Sequence, residues 1–351
     1  NIYTDVRGRV IYLKIYNSSD SKKLRDITGI SELEELEYLH IPRNEITDIS
    51  PLSNLTKLNG LDVTGNDITD ISPISRLINL KYLELNYQNI SDISMLSNLT
   101  RLELLECEGC SVEKISSLKN MDSLQYLTLY AEQENSIAAL RGLKKLRRIW
   151  VRLGKVSDFT PLANKAGLVE LSIVGGEGVD ARFLSTLPNL EKASLYNNAF
   201  ESIPDLSKLT KLKELYFSNT QLKKISGLDK LTSLEKLHLT NNKDLTKVEG
   251  LDGLVNLKEL QFNDSSIHKM ENLNLPALSK LDISGTKITK LENMKGMPNL
   301  EYLKIYNTGI EKLEGYLDTP LLFYIQADYT PEFSRRNAKA VEFMKRREVE
   351  W

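Results

Sequence analysis

The sequence predicts an α/β solenoid, a right-handed horseshoe of about 15 coils with a parallel β-sheet on its concave face and short 3-10 or helical returns on its convex face. Leucines that open the pattern L-x-x-L-x-L recur every 22 residues from Leu36 to Leu234, and steps of 23, 21, 22 and 22 extend the series to Leu322. Within each copy, apolar and polar residues alternate over a short stretch, which is typical of a half-buried strand. A polar residue then recurs at the turn that follows.

The second copy shows the complete pattern. Leu61-Asp62-Val63 alternates between the inside and the outside of the coil, so it predicts a short strand. Pro73 and the turn at Leu77 predict a tight helical return. Each coil has an apolar face that it cannot bury alone, so neighbouring coils must stack. The eight positions reserved for buried residues are Leu58, Leu61, Val63, Asn66, Ile68, Ile71, Ile74 and Leu77.

An amide recurs at the turn position, where it can bond backbone groups that the core would otherwise leave without partners. It is Asn44, Asn66, Asn198 and Asn242 in four copies. Gln88, Cys110 and several Ser or Thr residues replace it elsewhere, whereas Gly154 and Gly176 offer no side chain. We therefore expect copies five to seven to be the least regular, with loose turns at 131–135 and 174–180.

The boundaries predict one continuous domain with capped ends. Residues 1–35 form an N-terminal capping coil, residues 36–321 the repeats, and residues 322–351 the last strand and a capping helix. Thr330 and Pro331 suit the N-cap and first helical position. Phe333, Val341 and Met344 are expected to cover the core of the last coil.

Residues 48–56 read Asp-Ile-Ser-Pro-Leu-Ser-Asn-Leu-Thr, and residues 70–74 and 92–100 repeat this motif. The motif resembles the repeat of the internalins, leucine-rich-repeat (LRR) surface proteins of Gram-positive bacteria. The resemblance covers about residues 33–321 and is specific for the fold. It implies a bacterial cell-surface or secreted protein with an adhesin or virulence role. We see no immunoglobulin-like segment or wall anchor in the chain, and copies nine to twelve are similar to intracellular phosphatase-regulator repeats.

Composition excludes several classes of function. The formal net charge of −2 offers no global field for nucleic acid. No apolar run approaches the roughly 18 residues that span a bilayer. We therefore expect neither nucleic acid as a partner nor membrane insertion.

The residues of catalytic and metal sites are sparse, so we predict no enzyme, no metal and no cofactor. The two cysteines, Cys107 and Cys110, match C-x-x-C, but they fall at an inward strand position and at the turn position, which favours a structural role over a redox one. The histidines His40 and His238 lie nine coils apart and cannot share a metal. No serine, histidine and acid arrangement can be assembled.

Tyrosine is concentrated on the outward strand positions, the second, fourth and sixth after each opening leucine. Eleven of the 15 tyrosines fall there, whereas chance would give about two. Strand preference accounts for only part of this excess, and exposed tyrosine is favoured at binding surfaces because its large contact area is rigid. The set is Tyr12, Tyr16, Tyr38, Tyr82, Tyr126, Tyr130, Tyr196, Tyr216, Tyr302, Tyr306 and Tyr324, with Trp150 between Arg148 and Arg152.

Charges on these outward positions form two patterns. Lysine and glutamate alternate in the second-position column from Glu170 to Lys280, which predicts a self-neutralising ladder. In contrast, Asp62, Glu84 and Glu106 share the fourth-position column, with Glu108 beside them. Adjacent like charges are unfavourable without a counter-charge, so this patch predicts a partner that presents Lys or Arg. A solvated acidic strip or a Ca²⁺ site is the alternative.

These patterns predict a monomeric scaffold that binds a protein on the concave face, with a host receptor that has a basic contact surface among the expected partners. The predicted contacts are the tyrosines above other than Tyr196 and Tyr216, with Asp62, Glu84, Glu106, Glu108, Trp150 and Arg152. The Tyr302, Tyr306 and Tyr324 group would form a second patch at the far end. An intracellular regulatory scaffold and a carbohydrate-binding surface are the alternatives.

Overall fold

The structure is a computed structural model that describes residues 1–15, 22–178, 180–225, 227–270, 273–291, 294–313, 318–328, 330–339 and 342. Tyr16, Val341 and Met344, which the sequence assigned to the binding face and to the C-terminal cap, lie outside these residues. The chain divides into two compact units, Asn1–Glu177 (unit 1) and Gly178–Trp351 (unit 2). Both have the predicted leucine-rich-repeat architecture, an open and mostly parallel sheet with 3-10 returns.

The described residues of unit 1 form nine strands in chain order. The first two pair antiparallel as a hairpin, and from the second onward each strand pairs parallel with the next. The strands are β1 (Ile2–Thr4), β2 (Val10–Lys14), β3 (Tyr38–His40), β4 (Gly60–Asp62), β5 (Tyr82–Glu84), β6 (Leu104–Cys107), β7 (Tyr126–Ala131), β8 (Arg148–Leu153) and β9 (Glu170–Gly175). The 3-10 helices between them are Thr28–Glu32, Ser50–Leu52, Ser72–Arg76, Ser94–Asn98, Ser116–Asn120, Ala138–Gly142 and Thr160–Leu162.

Unit 2 continues the same pattern in its described residues. Its main sheet is parallel in the order β10, β11, β13, β15, β16, β17, β18, while β12 and β14 pair separately. The strands are β10 (Lys192–Tyr196), β11 (Glu214–Ser218), β12 (Lys224–Ile225), β13 (Lys236–His238), β14 (Lys247–Val248), β15 (Glu259–Gln261), β16 (Lys280–Asp282), β17 (Tyr302–Lys304) and β18 (Tyr324–Gln326). The helices are the 3-10 turns Arg182–Thr186 and Met294–Gly296 and the α-helix α1 (Pro331–Arg336).

The core lies where the repeat predicts it. The apolar residues of the second copy, from Leu58 to Leu77, are at most 2% exposed, and Asn66 among them is 5% exposed. The Asp-Ile-Ser motif explains the start of the 3-10 helices, because the Asp48, Asp70 and Asp92 carboxylates accept bonds from the serine two residues later. Pro51, Pro73 and Pro161 occupy the first turn of their helices, where no backbone N–H is needed.

The amide position performs its predicted role. Asn66 donates to the carbonyls of Ile41 and Val63 and accepts from the N–H of Ile46, so it joins consecutive coils. Gln88 replaces it in the next copy, accepting from Ile68 N–H and donating to Val63. The amides thus satisfy buried backbone groups on both sides of each turn.

The prediction of irregular copies five to seven needs correction. Strands β7, β8 and β9 are the longest of unit 1, with six residues each, and β9 includes residues assigned to a loose turn. At one turn position without an amide, the backbone of the neighbouring coil approaches closely. A Cβ atom on Gly154 would lie 1.8 Å from the carbonyl oxygen of Glu132, so no other residue fits there.

The two cysteines form a disulfide between Cys107 and Cys110, which the sequence analysis did not predict. Both are buried, Cys107 in β6 and Cys110 at the turn position, as expected. The bond therefore joins a strand to its own turn inside one coil, where other copies use an amide.

The C-terminal end confirms the predicted helix start. The Thr330 hydroxyl accepts from the N–H of Phe333, and α1 begins at Pro331. Phe333 is 8% exposed, which agrees with its assignment to the cap. None of the described helices combines the length and the apolar character needed to cross a bilayer.

Candidate functional site

The outward face of the unit 1 sheet aligns the predicted contact residues in columns. The second-position column pairs Tyr12 with Tyr38, Tyr38 with Gly60, and Gly60 with Tyr82 across neighbouring strands. Leu104, Tyr126 and Arg148 continue it. The fourth-position column runs through His40, Asp62, Glu84, Glu106, Thr128 and Trp150.

We call Asp62, Glu84 and Glu106 the acidic column, and its three members differ in environment. Asp62 is only 7% exposed. Its carboxylate lies 2.7 Å from the His40 Nδ1 atom and accepts from the backbone N–H of Thr64. Burial lowers the pKa of His40 against the opposing attraction of Asp62, so this contact is mainly a hydrogen bond near neutral pH. Asp62 therefore has a mainly structural role in this face.

Glu84 lies between the other two acids and is half-buried. In the described part of the chain, no hydrogen bond or ion pair reaches its carboxylate. Burial, with the like charges of Asp62 and Glu106 added to it, raises the pKa of Glu84 to about 7. The acidic column is consequently less negative at pH 7 than its composition suggests. A cation placed over Glu84 would stabilise the deprotonated form of its carboxylate.

The third acid and its neighbour are held by a polar network. Asn86 donates to the Glu106 carboxylate at 2.8 Å, and its own carbonyl accepts from the N–H of Glu108. The Glu108 carboxylate lies within hydrogen-bonding reach of the hydroxyls of Tyr87 and Tyr130. Asn86 thus fixes the Glu106 carboxylate and the backbone of Glu108 at defined positions on the face.

Aromatic rings surround the acidic column, and we call Tyr38, Tyr82, Tyr126, Tyr130 and Trp150 the aromatic rim. Tyr38 and Tyr82 are 38% and 40% exposed. The Tyr38 ring lies over Gly60, where an added Cβ would be 2.7 Å from its Cδ1 atom. Tyr130 and Trp150 pack with their ring centroids 5.0 Å apart.

Further rings and charges extend the rim in both directions. Tyr12 lies between Tyr3 and Tyr38, with centroids 5.1 and 6.2 Å away. At the other end the Arg152 guanidinium lies 5.4 Å from the Tyr130 centroid and 3.1 Å from Glu132. The predicted contact residues of unit 1 that the structure describes therefore form one continuous surface.

Unit 2 carries part of the predicted charge ladder. Glu214 lies 3.0 Å from both Lys192 and Lys236, which pair with it from the neighbouring strands. Burial alone would raise the pKa of Glu214, but hydrogen bonds from Lys236, Lys192 and Tyr216 outweigh it and lower the pKa to about 2. These three charges neutralise one another, as the sequence predicted, whereas Glu259 in the next strand lies 3.2 Å from His238.

A second aromatic group lies at the end of unit 2. Tyr302 and Tyr324 are cross-strand neighbours with centroids 5.8 Å apart, and Phe323 packs 4.7 Å from Tyr302. Tyr306 is 37% exposed beside them. The structure thus brings the three tyrosines of the predicted second patch into one region of unit 2.

Four residues of the unit 1 face were missed in the sequence analysis: His40, Gly60, Asn86 and Tyr87. His40 and Gly60 occupy outward columns, so the repeat alignment alone carried a signal for them. Tyr87 lies in the turn at φ 56°, and no periodicity indicates it. Among the described residues, no group of three or more His, Cys, Asp or Glu side chains is suited to a metal ion, which gives no support to the Ca²⁺ alternative.

Two family models match parts of the chain. The model described as the LRR domain of endo-beta-N-acetylglucosaminidase EndoS matches residues 204–308, and a model of leucine-rich repeats in two copies matches residues 34–76. No curated protein sequence matches the chain significantly.

Solved structures match far more of the chain. An internalin (inlF) from Listeria monocytogenes is 28% identical with a TM-score of 0.77, over 86% of this chain and 89% of that one. An LRR protein of Leptospira interrogans is 23% identical with a TM-score of 0.74, over 88% and 81% of the two chains. The Arabidopsis receptor kinase HAESA, in complex with the peptide hormone IDA and a co-receptor, is 22% identical with a TM-score of 0.72, over 92% and 59%.

The fold and these likenesses define the chain as a protein of the leucine-rich-repeat class. Within that class it is similar to an internalin of Listeria monocytogenes and shares its fold with an LRR protein of Leptospira interrogans.

Proposed function

We propose that the chain binds a protein partner on the outward sheet face of unit 1, and that a lysine or arginine of the partner lies over Glu84. The main support for this proposal is the environment of the Glu84 carboxylate. It is half-buried between two other acids and has no hydrogen-bond or ion-pair partner among the described residues. A partner cation would offset the repulsion within the acidic column. The aromatic rim would supply most of the contact area, because exposed tyrosine and tryptophan dominate many interfaces.

The proposal assigns unequal roles to the contact residues. Glu84 selects the charge of the partner, whereas Tyr38, Tyr82 and Tyr126 provide apolar area around it. Asp62 and Glu106 act through the local potential, because His40 and Asn86 already bond them. The Tyr302, Tyr306 and Tyr324 group is proposed as a second contact for a long partner.

We extend to this chain the location that the resemblance implies, a bacterial cell surface or the secreted fraction, with an adhesin role and a host protein as partner. The support is the likeness to the Listeria internalin over most of both chains.

A capture experiment tests the site. The baits are the wild-type chain, a Tyr38→Ala/Glu84→Lys/Tyr126→Ala variant and a control with the same kinds of change in unit 2 outside the proposed contacts, Tyr196→Ala/Tyr216→Ala/Glu235→Lys. We expect a host-surface protein that binds wild type and control but binds the unit 1 variant at least about tenfold more weakly. If both variants bind it as wild type does, the partner contacts another surface and the proposal is wrong.

The pKa of Glu84 gives a separate prediction for the pH dependence of binding. Only the deprotonated carboxylate attracts a cation, and its fraction rises about tenfold between pH 6 and pH 8 when the pKa is about 7. We therefore expect the affinity for a labelled deca-lysine peptide, measured by fluorescence anisotropy, to increase by up to that factor over this range. Glu84→Gln should bind weakly at both pH values. An equally steep pH dependence in Glu84→Gln would assign the titration to another group.

A further inference from the structure

One coil of unit 1, residues 137–158, is strongly basic, and we call it the basic coil. It contains seven Lys or Arg residues and one acid, whereas 22 residues of this chain hold about three Lys or Arg on average. All seven basic side chains are exposed. They are Arg141, Lys144, Lys145, Arg147, Arg148, Arg152 and Lys155.

The internal contacts leave much of this charge available. Lys144, Lys145 and Arg147 directly precede β8, and in the described part of the chain their side chains have no hydrogen-bond or ion-pair partner. Arg148 lies 3.4 Å from Glu170, but its side chain is 60% exposed. Exposed pairs of this kind contribute at most about 1 kcal/mol, so a partner carboxylate can compete for the arginine.

The basic coil borders the face described above. Arg148 and Arg152 lie on β8, three strands from Glu84 on β5. At the usual strand spacing, β5 and β8 are about 14 Å apart. Tyr130 marks the junction, since its hydroxyl is within hydrogen-bonding reach of both Glu108 and Arg152. The face of unit 1 therefore has an acidic pole and a basic pole with aromatic rings between them.

We propose that the basic coil binds an acidic segment of the same protein partner whose basic residue lies over Glu84. This inference rests on the proposed function. It adds that the partner carries a second, acidic charge cluster and binds in one defined orientation. A partner with charges of both signs fits the two poles, whereas a nucleic acid or a sulfated polysaccharide would be repelled by the acidic column. Opposite poles on one face also fix the orientation of the partner, because the reversed orientation places like charges together.

Anisotropy measurements with labelled peptides test the second pole. The probes are deca-lysine, deca-glutamate and a block peptide of five lysines, two glycines and five glutamates. The proteins are wild type, Glu84→Lys, the basic-coil variant Lys144→Glu/Lys145→Glu/Arg147→Glu, and the control Lys208→Glu/Lys243→Glu/Lys287→Glu. The control reverses three exposed lysines of unit 2 and changes the net charge equally.

We expect the basic-coil variant to bind deca-glutamate at least about tenfold more weakly than wild type and control do, while its binding of deca-lysine does not weaken. The block peptide should bind wild type more tightly than either single-sign peptide and should lose this advantage in both Glu84→Lys and the basic-coil variant. Equal weakening of deca-glutamate binding in the control would overturn the second pole, because net charge would then explain the effect. Tighter binding of a heparin oligosaccharide or a DNA oligonucleotide than of the block peptide would also overturn it.

The two proposals can fail separately. If deca-lysine binding depends on Glu84 but deca-glutamate binding does not depend on the basic coil, the proposed function stands and the second pole is refuted. If Glu84→Lys leaves deca-lysine binding unchanged, the proposed function itself fails.

Discussion

Replacing Asn242 with alanine is expected to destabilise unit 2 by about 3 kcal/mol. Asn242 is completely buried. Its side chain donates to the carbonyls of Phe217 and Leu239 at 2.7 and 2.9 Å and accepts from the N–H and the hydroxyl of Thr220 at 3.0 and 2.6 Å. Alanine removes all four bonds and leaves the backbone groups buried without partners, each of which costs about 1 kcal/mol or more. Thermal unfolding followed by circular dichroism, with limited proteolysis to locate the change, measures the effect.

A matched control separates this role from the general effect of losing an amide. Asn256 is exposed and makes a single bond to the Thr232 carbonyl, so Asn256→Ala should change stability by less than about 1 kcal/mol. Asn242→Asp should be at least as harmful as Asn242→Ala, because it places a carboxylate oxygen against two carbonyls. A stable Asn242→Asp protein would show that the amide hydrogens are dispensable.

The repeat pattern predicted this part of the fold well for a physical reason. A turn that recurs every 22 residues presents the same unpaired backbone groups to the same position in each copy, so residue type there reports the bonds required. Asn66, Gln88 and Asn242 all follow this rule. The apolar positions are equally predictable from the sequence, because each faces the same interior in every coil.

The electrostatics of the site could be predicted only in part. Column alignment placed Asp62, Glu84 and Glu106 side by side, and the structure confirms that register. The alignment of columns did not indicate that His40 bonds Asp62 or that Asn86 bonds Glu106, because those contacts depend on side-chain rotamers. The sequence therefore suggested three equivalent charges, whereas the structure has two bonded acids around a central one with a raised pKa.

The disulfide and the basic coil show two further limits. Repeat alignment assigned Cys107 and Cys110 to separate structural positions, and their proximity follows from the turn geometry of one coil. In the basic coil, Lys144, Lys145 and Arg147 precede the strand and lie outside the outward columns, so the repeat pattern does not connect them with the sheet face. Charged residues that lie beside the sheet therefore leave no signal in the outward strand columns.

Lys165 carries the second large expected effect. It occupies the position held by Leu143 one copy earlier and by Leu187 one copy later, and it is 3% exposed. Its ammonium donates to the carbonyls of Leu140 and Leu143 at 2.7 and 3.1 Å, near the C-terminal end of the 3-10 helix Ala138–Gly142. Burial lowers the pKa of Lys165 to about 8, which shows that the folded protein favours the neutral amine more than the unfolded chain does.

The pH dependence of stability follows from this shift. Between pH 8 and the usual lysine pKa of 10.5, the unfolded state binds more protons than the folded state, so wild-type stability rises with pH across that window. Below pH 8 the full penalty of the buried charge applies, about 3 kcal/mol. Lys165→Met keeps the volume and removes the titration. We expect the variant to be more stable than wild type at pH 7 and to lose most of this advantage by about pH 10.

Comparing the two proteins at each pH cancels the titration of every other group, so the difference in free energy of unfolding reports Lys165 alone. A constant difference from pH 7 to pH 10 would mean that Lys165 binds its proton equally well in the folded and the unfolded state. A variant less stable than wild type at pH 7 would mean that the carbonyl bonds outweigh burial of the charge. In that case Lys165 would be a stabilising cap for the preceding helix, since cations near the C-terminal carbonyls of a helix are favourable.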